Sequence, residues 1–404
     1  MNAEHATTVE RLLEKADAGE PFLLLDVRND DEYEAWKVEG RRQIEMLHIP
    51  YFDFVEDPGL VAQVPSDRRE VLVLCAKGGS SEFVAELLRE AGITAKNVEG
   101  GMIAYGDYLQ PVRVPLDADE ADRFEIWQLN RRGKGCLSYV IRCDTEAIVV
   151  DSSRNVRAYA RLVARLGARL VGVFDTHVHA DHLSGGPELA RLSGASYCVA
   201  AGTGGELKHA VTPVRDGEEI RLGDAPGRTL AVRVVDTPGH TPGSTSFLVG
   251  RRHLLTGDTI FVSGIGRPDL GGYVAEWGRV LYHTLHERIG ALPDDVVILP
   301  AHYADVSEIR DDGVVAGRLG EIRRTVLELQ IRSAEEFVEA MKSALSAPPE
   351  IYSRIIATNL GTSQVEAEEA AAWELGKNQC AASGHEVLRR KIHLTMPEER
   401  KLCP

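Results

Sequence analysis

The stretch "FDTHVHADHL", Phe174–Leu183, decides how this chain is read. It begins at the end of a short apolar run, "VGVF", the pattern of a buried strand. His177, His179, Asp181 and His182 therefore gather in one loop just past a strand end. Three more groups stand in the same setting: His240 in "DTPGHTPGS", Asp258 in "LLTGD" and His302 in "LPAH". A single histidine is more often structural than a ligand. Seven imidazole and carboxylate groups at four expected strand ends instead form a metal-ligand set. Strand ends on a rigid sheet are also where catalytic loops commonly sit.

Outward from this loop the second half alternates strand and helix. "YVIRC", "AIVVD", the helix "VRAYARLVARLG", "RLVGVFD", "LAVRVVD", "STSFLVG", "RHLLTGD" and "DVVILPAH" follow in order. Beyond about residue 315 the chain reads as mainly helical, and Ser333 to Glu336 has the form of a capping box. Residues 385–404 read as a polar tail. The first half is also α/β. "FLLLDV" (22–27) and "VLVLC" (71–75) suit strands of a parallel sheet. "SSEFVAELLREAG" (80–92) is an amphipathic helix with Phe83, Val84, Leu87 and Leu88 on one face and Gly92 as C-cap. The Pro- and acid-bearing stretch 110–123 reads as a linker, with its core at 113–122.

A chain of 404 residues is long enough for two or three domains. Its formal net charge of −16 argues against a nucleic-acid partner, because such binding needs a basic surface. The start carries no apolar core behind a basic flank, and no run approaches a bilayer-spanning length, so no membrane association is expected. The six cysteines lack any CxxC pair and read as free thiols in a reducing cytoplasm. Cys136 is placed near the mouth of the metal site, and the other downstream cysteines, Cys380 among them, read as packing or exposed thiols. The sequence leaves the oligomeric state open, a homo-oligomer included.

Cys75 closes an apolar strand, and "AKGGS", Ala76, Lys77, Gly78, Gly79 and Ser80, leads into the helix. Successive backbone N–H groups in such a loop make an anion-binding nest, and the helix N-terminus adds positive potential. Both favour a thiolate and would hold a negatively charged persulfide. A buried structural cysteine fits the same spacing.

Two resemblances sharpen these readings. "THVHADH" with the downstream His240, Asp258 and His302 resembles the metallo-β-lactamase fold over about residues 123–310. That resemblance implies an αββα sandwich with the metal at one edge. "GIGRPDLGG" (264–272), "GKGCLSYVI" and "EIYSRIIATNLG" resemble the persulfide dioxygenases of that superfamily. By this resemblance His177, His240 and Asp258 would hold Fe(II), a trio that leaves positions open for substrate and dioxygen. His179, Asp181, His182 and His302 would be supporting groups or a vacant second site, Arg267 would hold the carrier thiol's carboxylate, and Tyr303 would assist. A site with one or two zinc ions using all seven groups, as in the thioester hydrolases resembling glyoxalase II, remains the rival.

"FLLLDVRNDDEYEAWKVEG", the cysteine loop and "VEGGMIAYGDY" resemble the rhodanese domain over residues 5–112. Cys75 would then carry sulfane sulfur as the catalytic residue. The loop departs from the common pattern, with Ala76 and Ser80 where arginines often stand. The expected architecture is an α/β chain: a rhodanese domain at 1–112, a linker at 113–122, and an αββα metallo-β-lactamase sandwich with helical extension at 123–384. The expected substrates are a thiol persulfide such as glutathione persulfide, thiosulfate or sulfite, and dioxygen. A sulfur sensor or carrier is the third reading.

Overall fold

The computed structural model describes residues 4–65, 69–203, 207–345 and 347–380. The chain divides into two compact units. Of the described residues, the first takes those up to 110 with 131–135 and 374–377, and the second takes 111–130, those within 136–373, and 378–380.

The first unit is built on a five-stranded sheet in the order Ala6–Thr7, Ala95–Val98, Glu70–Leu74, Phe22–Asp26, Glu45–His48. Every pairing in it is parallel. Side chains alternate across a strand, so the continuous apolar runs feed two cores. Leu23, Leu25, Val71 and Val73 pack with Val84, Ala85 and Leu88 on one face. Leu24, Leu72 and Leu74 pack with Leu12, Leu13 and Met102 on the other. Covering both faces is what a parallel sheet requires.

The helix after Cys75 runs Gly79–Glu90, and Gly92 adopts a φ of +81°. Its buried face is Ser81, Val84, Ala85 and Leu88 rather than the face expected from the sequence. Phe83 is 41% exposed and meets Tyr51 edge-on, with ring centroids 5.7 Å apart. Ser81 takes the inward position because its hydroxyl has a polar partner there, the sulfur of Cys75.

The second unit is a two-sheet sandwich. One sheet has seven strands, in the order Thr212–Val214, Ser196–Ala200, Arg169–Phe174, Glu146–Val150, Cys136–Cys143, Phe124–Arg131, Gln110–Arg113. The other has six, Glu219–Leu222, Leu230–Asp236, Thr245–Val249, His253–Gly257, Val297–Pro300, Gly317–Arg318. Ile126, Tyr139, Ile148 and Phe174 of the first meet Val232, Val234, Phe247 and Leu299 of the second in one core. Each such aliphatic side chain contributes about 1.5–3 kcal/mol when fully buried. Val274–His283 with Leu319–Thr325 and Ala334–Ala344 closes a further core over the outer face of the six-stranded sheet, through Leu254, Ile298, Leu281, Ile322 and Phe337.

The expected linker is structured. Gln110–Arg113 is an edge strand, Ala118–Ala121 a helical turn, and the Val114 N–H donates to the Ile126 carbonyl at 2.8 Å. Val114 is buried and Val112 and Leu116 pack on the sandwich core, so the apolar residues between the prolines outweigh the loop signals. The extension contains Leu319–Thr325, Ala334–Ala344, Ile351–Asn359 and Ala367–Trp373. Ser333 caps the second of these, accepting from the Glu336 N–H. The expected tail at 385–404, with Cys403, lies outside the described residues. No helix among the described residues is long and apolar enough to cross a membrane.

Candidate metal centre and sulfur loop

Loops from both sheets meet at one edge of the sandwich. The Thr245 N–H donates to the Thr176 carbonyl at 2.8 Å, and Ala301 N–H donates to the Gly257 carbonyl at 3.0 Å. Two glycines allow the approach. Gly257 has a φ of +53°, and a Cβ there would stand 2.4 Å from the Thr176 hydroxyl. A Cβ on Gly266 would stand 1.8 Å from the Asp258 carbonyl oxygen and 3.0 Å from the His240 ring.

His177, His240 and Asp258 converge in this edge with ligand atoms within 4.8 Å of one another. Asp258 Oδ2 is 3.7 Å from His177 Nε2 and 3.6 Å from His240 Nε2. The other side of each group is tied down. His240 Nδ1–H donates to the Arg267 carbonyl at 2.8 Å. His177 Nδ1 bonds the Thr176 hydroxyl at 2.9 Å, and that hydroxyl donates to the Asp151 carboxylate at 3.0 Å. Asp258 Oδ1 accepts from His302 Nδ1. These bonds leave His177 Nε2, His240 Nε2 and Asp258 Oδ2 as three buried acceptors without a hydrogen-bond partner. Burying such atoms is costly unless something positive stands between them. A divalent cation fits the donor set, and the residues present fit a metal.

Burial pushes the pKa of His177 well below its ordinary value, and the neighbouring His179 ring adds to the effect. Burial likewise lowers His240, against the pull of Asp258. Both rings are therefore neutral, the form a metal needs. Burial opposes ionisation of Asp258, but the charge of the His302 ring and its hydrogen bond to the carboxylate outweigh it and hold the carboxyl below its usual range.

The second group is arranged differently. Asp181 Oδ1 lies 3.1 Å from His182 Nδ1, and Asp181 Oδ2 receives His302 Nε2 at 3.0 Å and the Cys136 thiol at 3.2 Å. Cys136, Asp181, His182 and His302 could also hold an ion, but their polar atoms partner one another. Burial alone would lower His182, and the Asp181 carboxylate overrides it, lifting the ring to about 10. His179 stands with its Nε2 3.2 Å from Asp151 Oδ1 and 3.9 Å from Asp175 Oδ1.

The Arg267 guanidinium is buried and forked onto Asp269, at 2.7 and 2.8 Å. Tyr303 is buried in the sandwich core with its hydroxyl donating to Asn130 at 3.0 Å. Three contributors were not singled out from the sequence. Asp151, at a φ of +57°, ends its strand and receives the Thr176 N–H at 2.7 Å. The signal for it was the repeated Asp at strand ends. Asn359, in the extension, donates to the His179 and His182 carbonyls at 2.8 Å each and accepts from the Ser184 N–H. Cys380 packs with Ala180 and Tyr352, as expected of a packing thiol, and also lies with its sulfur within 4.8 Å of ligand atoms of Asp258 and His302.

In the first unit, Cys75 Sγ receives the Gly78 N–H at 3.0 Å and lies 3.1 Å from the Ser81 hydroxyl. Ser81 is also 2.8 Å from Asn97 Oδ1, and Asn97 Nδ2 donates to the Gly78 carbonyl at 3.1 Å. Gly78, at a φ of +97°, gives the loop its nest.

Residues 131–302 match the metallo-beta-lactamase superfamily, and residues 6–107 match the rhodanese-like domain. The human mitochondrial persulfide dioxygenase ETHE1 is 32% identical over 201 residues, covering 48% of this chain and 71% of the relative. The chain belongs to the metallo-β-lactamase superfamily. It joins a rhodanese-like domain to a metallo-β-lactamase domain related to the persulfide dioxygenases. A hydroxyacylglutathione hydrolase from Methylococcus capsulatus is also 32% identical, over 48% of this chain and 68% of the relative. Among solved structures, ETHE1 from Myxococcus xanthus is 28% identical with a TM-score of 0.50, covering 58% of this chain and 98% of that one. The metallo-β-lactamase fold and the persulfide dioxygenase relatives support an enzyme with a metal-binding site, and the His- and Asp-lined edge holds groups that could take the ion.

Proposed function

We propose that the metallo-β-lactamase domain is a non-haem Fe(II) persulfide dioxygenase. It would convert a low-molecular-weight persulfide, dioxygen and water into the free thiol and sulfite. The observation that supports this reading most is the trio of bare acceptor atoms on His177, His240 and Asp258. Two imidazoles and one carboxylate are the donor set of non-haem iron oxygenases and leave coordination positions for sulfur and gas. When bound, ferrous ion would supply redox-active binding positions for sulfur and dioxygen, the sulfane sulfur itself being the source of the electrons.

The chain's own groups do the rest. The Arg267 carbonyl and the Thr176–Asp151 pair fix which nitrogen of each ring faces the ion. His302 holds Asp258 by its far oxygen. Burial of all three groups keeps bulk solvent off the reacting face. The Arg267 guanidinium, by resemblance, would orient the carboxylate of a carrier such as glutathione, and Tyr303, seated in the sandwich core next to His302 in the chain, would assist through packing. In the rhodanese-like domain Cys75 carries sulfane sulfur in the Gly78–Ser81 nest. A Cys75 persulfide that gives its outer sulfur to sulfite yields thiosulfate, and the reverse step charges Cys75 from thiosulfate. Free, buried thiols and thiol substrates both suit a reducing cytoplasm.

The second reading is a two-zinc thioester hydrolase, favoured by the group Cys136, Asp181, His182 and His302 and by the hydrolase relative. That group satisfies itself while the trio does not, which supports an ion in the trio, and the bare ring nitrogens of His179 are what a second ion would draw on. The test is metal analysis of protein purified without oxygen, with oxygen uptake measured on glutathione persulfide. Iron at one per chain and sulfite production are expected. A zinc protein that cleaves glutathione thioesters and consumes no oxygen would sink the proposal.

A further inference from the structure

Cys380 is fully buried at the edge of the metal centre, carried there by the segment that follows the last helix. Two structural cysteines of the same domain show the contrast. Cys143 and Cys198 lie among aliphatic and aromatic side chains of the sandwich core. Cys380 has Ala180 and Tyr352 on one side and the Asp258 and His302 ligand atoms on the other, all within 4.8 Å. Its main chain is seated by polar bonds. The Arg267 N–H donates to the Cys380 carbonyl at 3.1 Å, and the Arg267 guanidinium to the Gln379 carbonyl at 3.3 Å. The Gln379 N–H donates to the Tyr352 hydroxyl at 2.8 Å, and that hydroxyl is 4.0 Å from the Cys380 sulfur. Asp258 also belongs to the trio His177, His240 and Asp258, whose facing atoms are buried without hydrogen-bond partners. A thiol is thus held beside the metal centre, its backbone fixed by Arg267 and its sulfur close to the Tyr352 hydroxyl and to the Asp258 and His302 ligand atoms.

We propose that Cys380 is a sulfur-accepting thiol of the metal centre, loaded by a low-molecular-weight persulfide and presenting the sulfane sulfur as a protein persulfide. In the loading step the Cys380 sulfur attacks the outer sulfur of the small persulfide. A new S–S bond forms on Cys380, the old one breaks, and the departing thiol leaves with the bonding pair and the Cys380 proton. No electrons are gained or lost overall. One S–S bond adds about 2 Å of reach, which carries the outer sulfur from beside Asp258 further into the centre. Because Cys380 is fully covered, loading takes place when the Gln379–Cys380 segment lifts from Arg267 and Tyr352. Oxidation of that sulfur rests on the dioxygenase reading above, whereas loading does not.

The experiment treats the whole iron-loaded protein with glutathione persulfide without oxygen, alkylates it, and maps peptides by mass spectrometry. The Cys380 peptide is expected to gain one sulfur atom, and Cys380→Ser to lose that signal. On admitting air, the added sulfur should leave Cys380 as sulfite appears, while His177→Ala should keep it. Sulfur found on Cys75 alone, with sulfite still formed in air, overturns the proposal. Sulfur retained on wild-type Cys380 in air without sulfite upholds the acceptor and overturns the dioxygenase reading instead.

Discussion

Arg267 serves His240 through its backbone: its carbonyl oxygen accepts the His240 Nδ1–H at 2.8 Å, while its side chain is forked onto Asp269. One residue therefore sets the tautomer of a ligand and aims a guanidinium, by separate parts of its structure. Outer partners of this kind fix ring orientation at metal sites. The two parts can be separated by mutation. Arg267→Lys keeps the carbonyl and a positive charge but loses the planar fork. We expect metal content to stay at the wild-type level and the KM for glutathione persulfide to rise about tenfold, roughly 1.4 kcal/mol of lost binding. Equal loss of metal and activity would show that the side chain only shapes the fold.

His182→Ala distinguishes one ion from two. His182 is bonded to Asp181 and is not one of the three bare acceptors. With a single ion in the trio, elemental analysis should return the wild-type metal count. His240→Ala should lose the ion and leave Asp258 Oδ2 facing one ring. A binuclear site would lose about half its metal in His182→Ala, and the hydrolase reading would then stand.

Much of this site was legible because its chemistry sits where strands stop. His177, His179, Asp181 and His182 are neighbours in sequence, and His240, Asp258 and His302 each follow an apolar run whose length marks a strand. The apolar runs also announced both sheets, since a buried strand has few other readings in so short a span. Asn359 and Cys380 were not legible as site residues. They reach the loop across some 180 residues of chain, and no local period records which helical face or trailing segment will be folded back onto it. Phe83 failed for another reason: a helical wheel counts apolar side chains, and here a hydroxyl with a sulfur partner displaced one of them from the inner face.

In the rhodanese-like domain, the Ser81 hydroxyl is the one side-chain group with a hydrogen bond to Cys75 Sγ among those described, beside the Gly78 N–H. A hydrogen bond to a charged acceptor is worth about 1.5–3 kcal/mol, and the single Ser81 proton, at 2.8 Å from Asn97 Oδ1, would have to turn to the sulfur to supply it. If Cys75 works as a thiolate, Ser81→Ala should slow sulfur transfer from thiosulfate at least tenfold. Cys75→Ser should abolish it. Single-turnover transfer to cyanide measures both, and an unchanged Ser81→Ala rate would mean that the backbone nest suffices.

Glu70 gives the same domain an acid-sensitive tie. Its carboxylate lies 2.9 Å from both Lys15 and Lys96. Burial works against its ionisation, but the two ammonium groups outweigh that and lower its pKa from the ordinary 4.5. A carboxyl depressed in the folded state stabilises it above the unfolded pKa, and that contribution fades as pH falls below about 4.5 toward the folded value. Glu70→Gln should therefore cost up to about 1 kcal/mol in urea unfolding at pH 7, the range of partly exposed pairs. The difference from wild type should shrink toward pH 3, and one that stays constant would assign the effect to packing.

Asn359 clamps the ligand loop from the helical extension. Its amide donates to the carbonyls of His179 and His182 and its oxygen accepts from Ser184 N–H, so three backbone groups of the loop depend on one buried side chain. Asn359→Leu fills a similar volume but leaves those groups unpaired, at about 1–3 kcal/mol for each one kept from water. The loop then relaxes to find other partners, and His177 at its start loses its place opposite His240 and Asp258. The expected result is a lower melting temperature together with a metal affinity reduced about 10–100-fold, the usual range for outer partners of a metal site. Thermal unfolding and competition with a chelator measure the two separately. A variant that melts early yet binds metal as tightly as wild type would show that the trio is fixed by the strand ends alone.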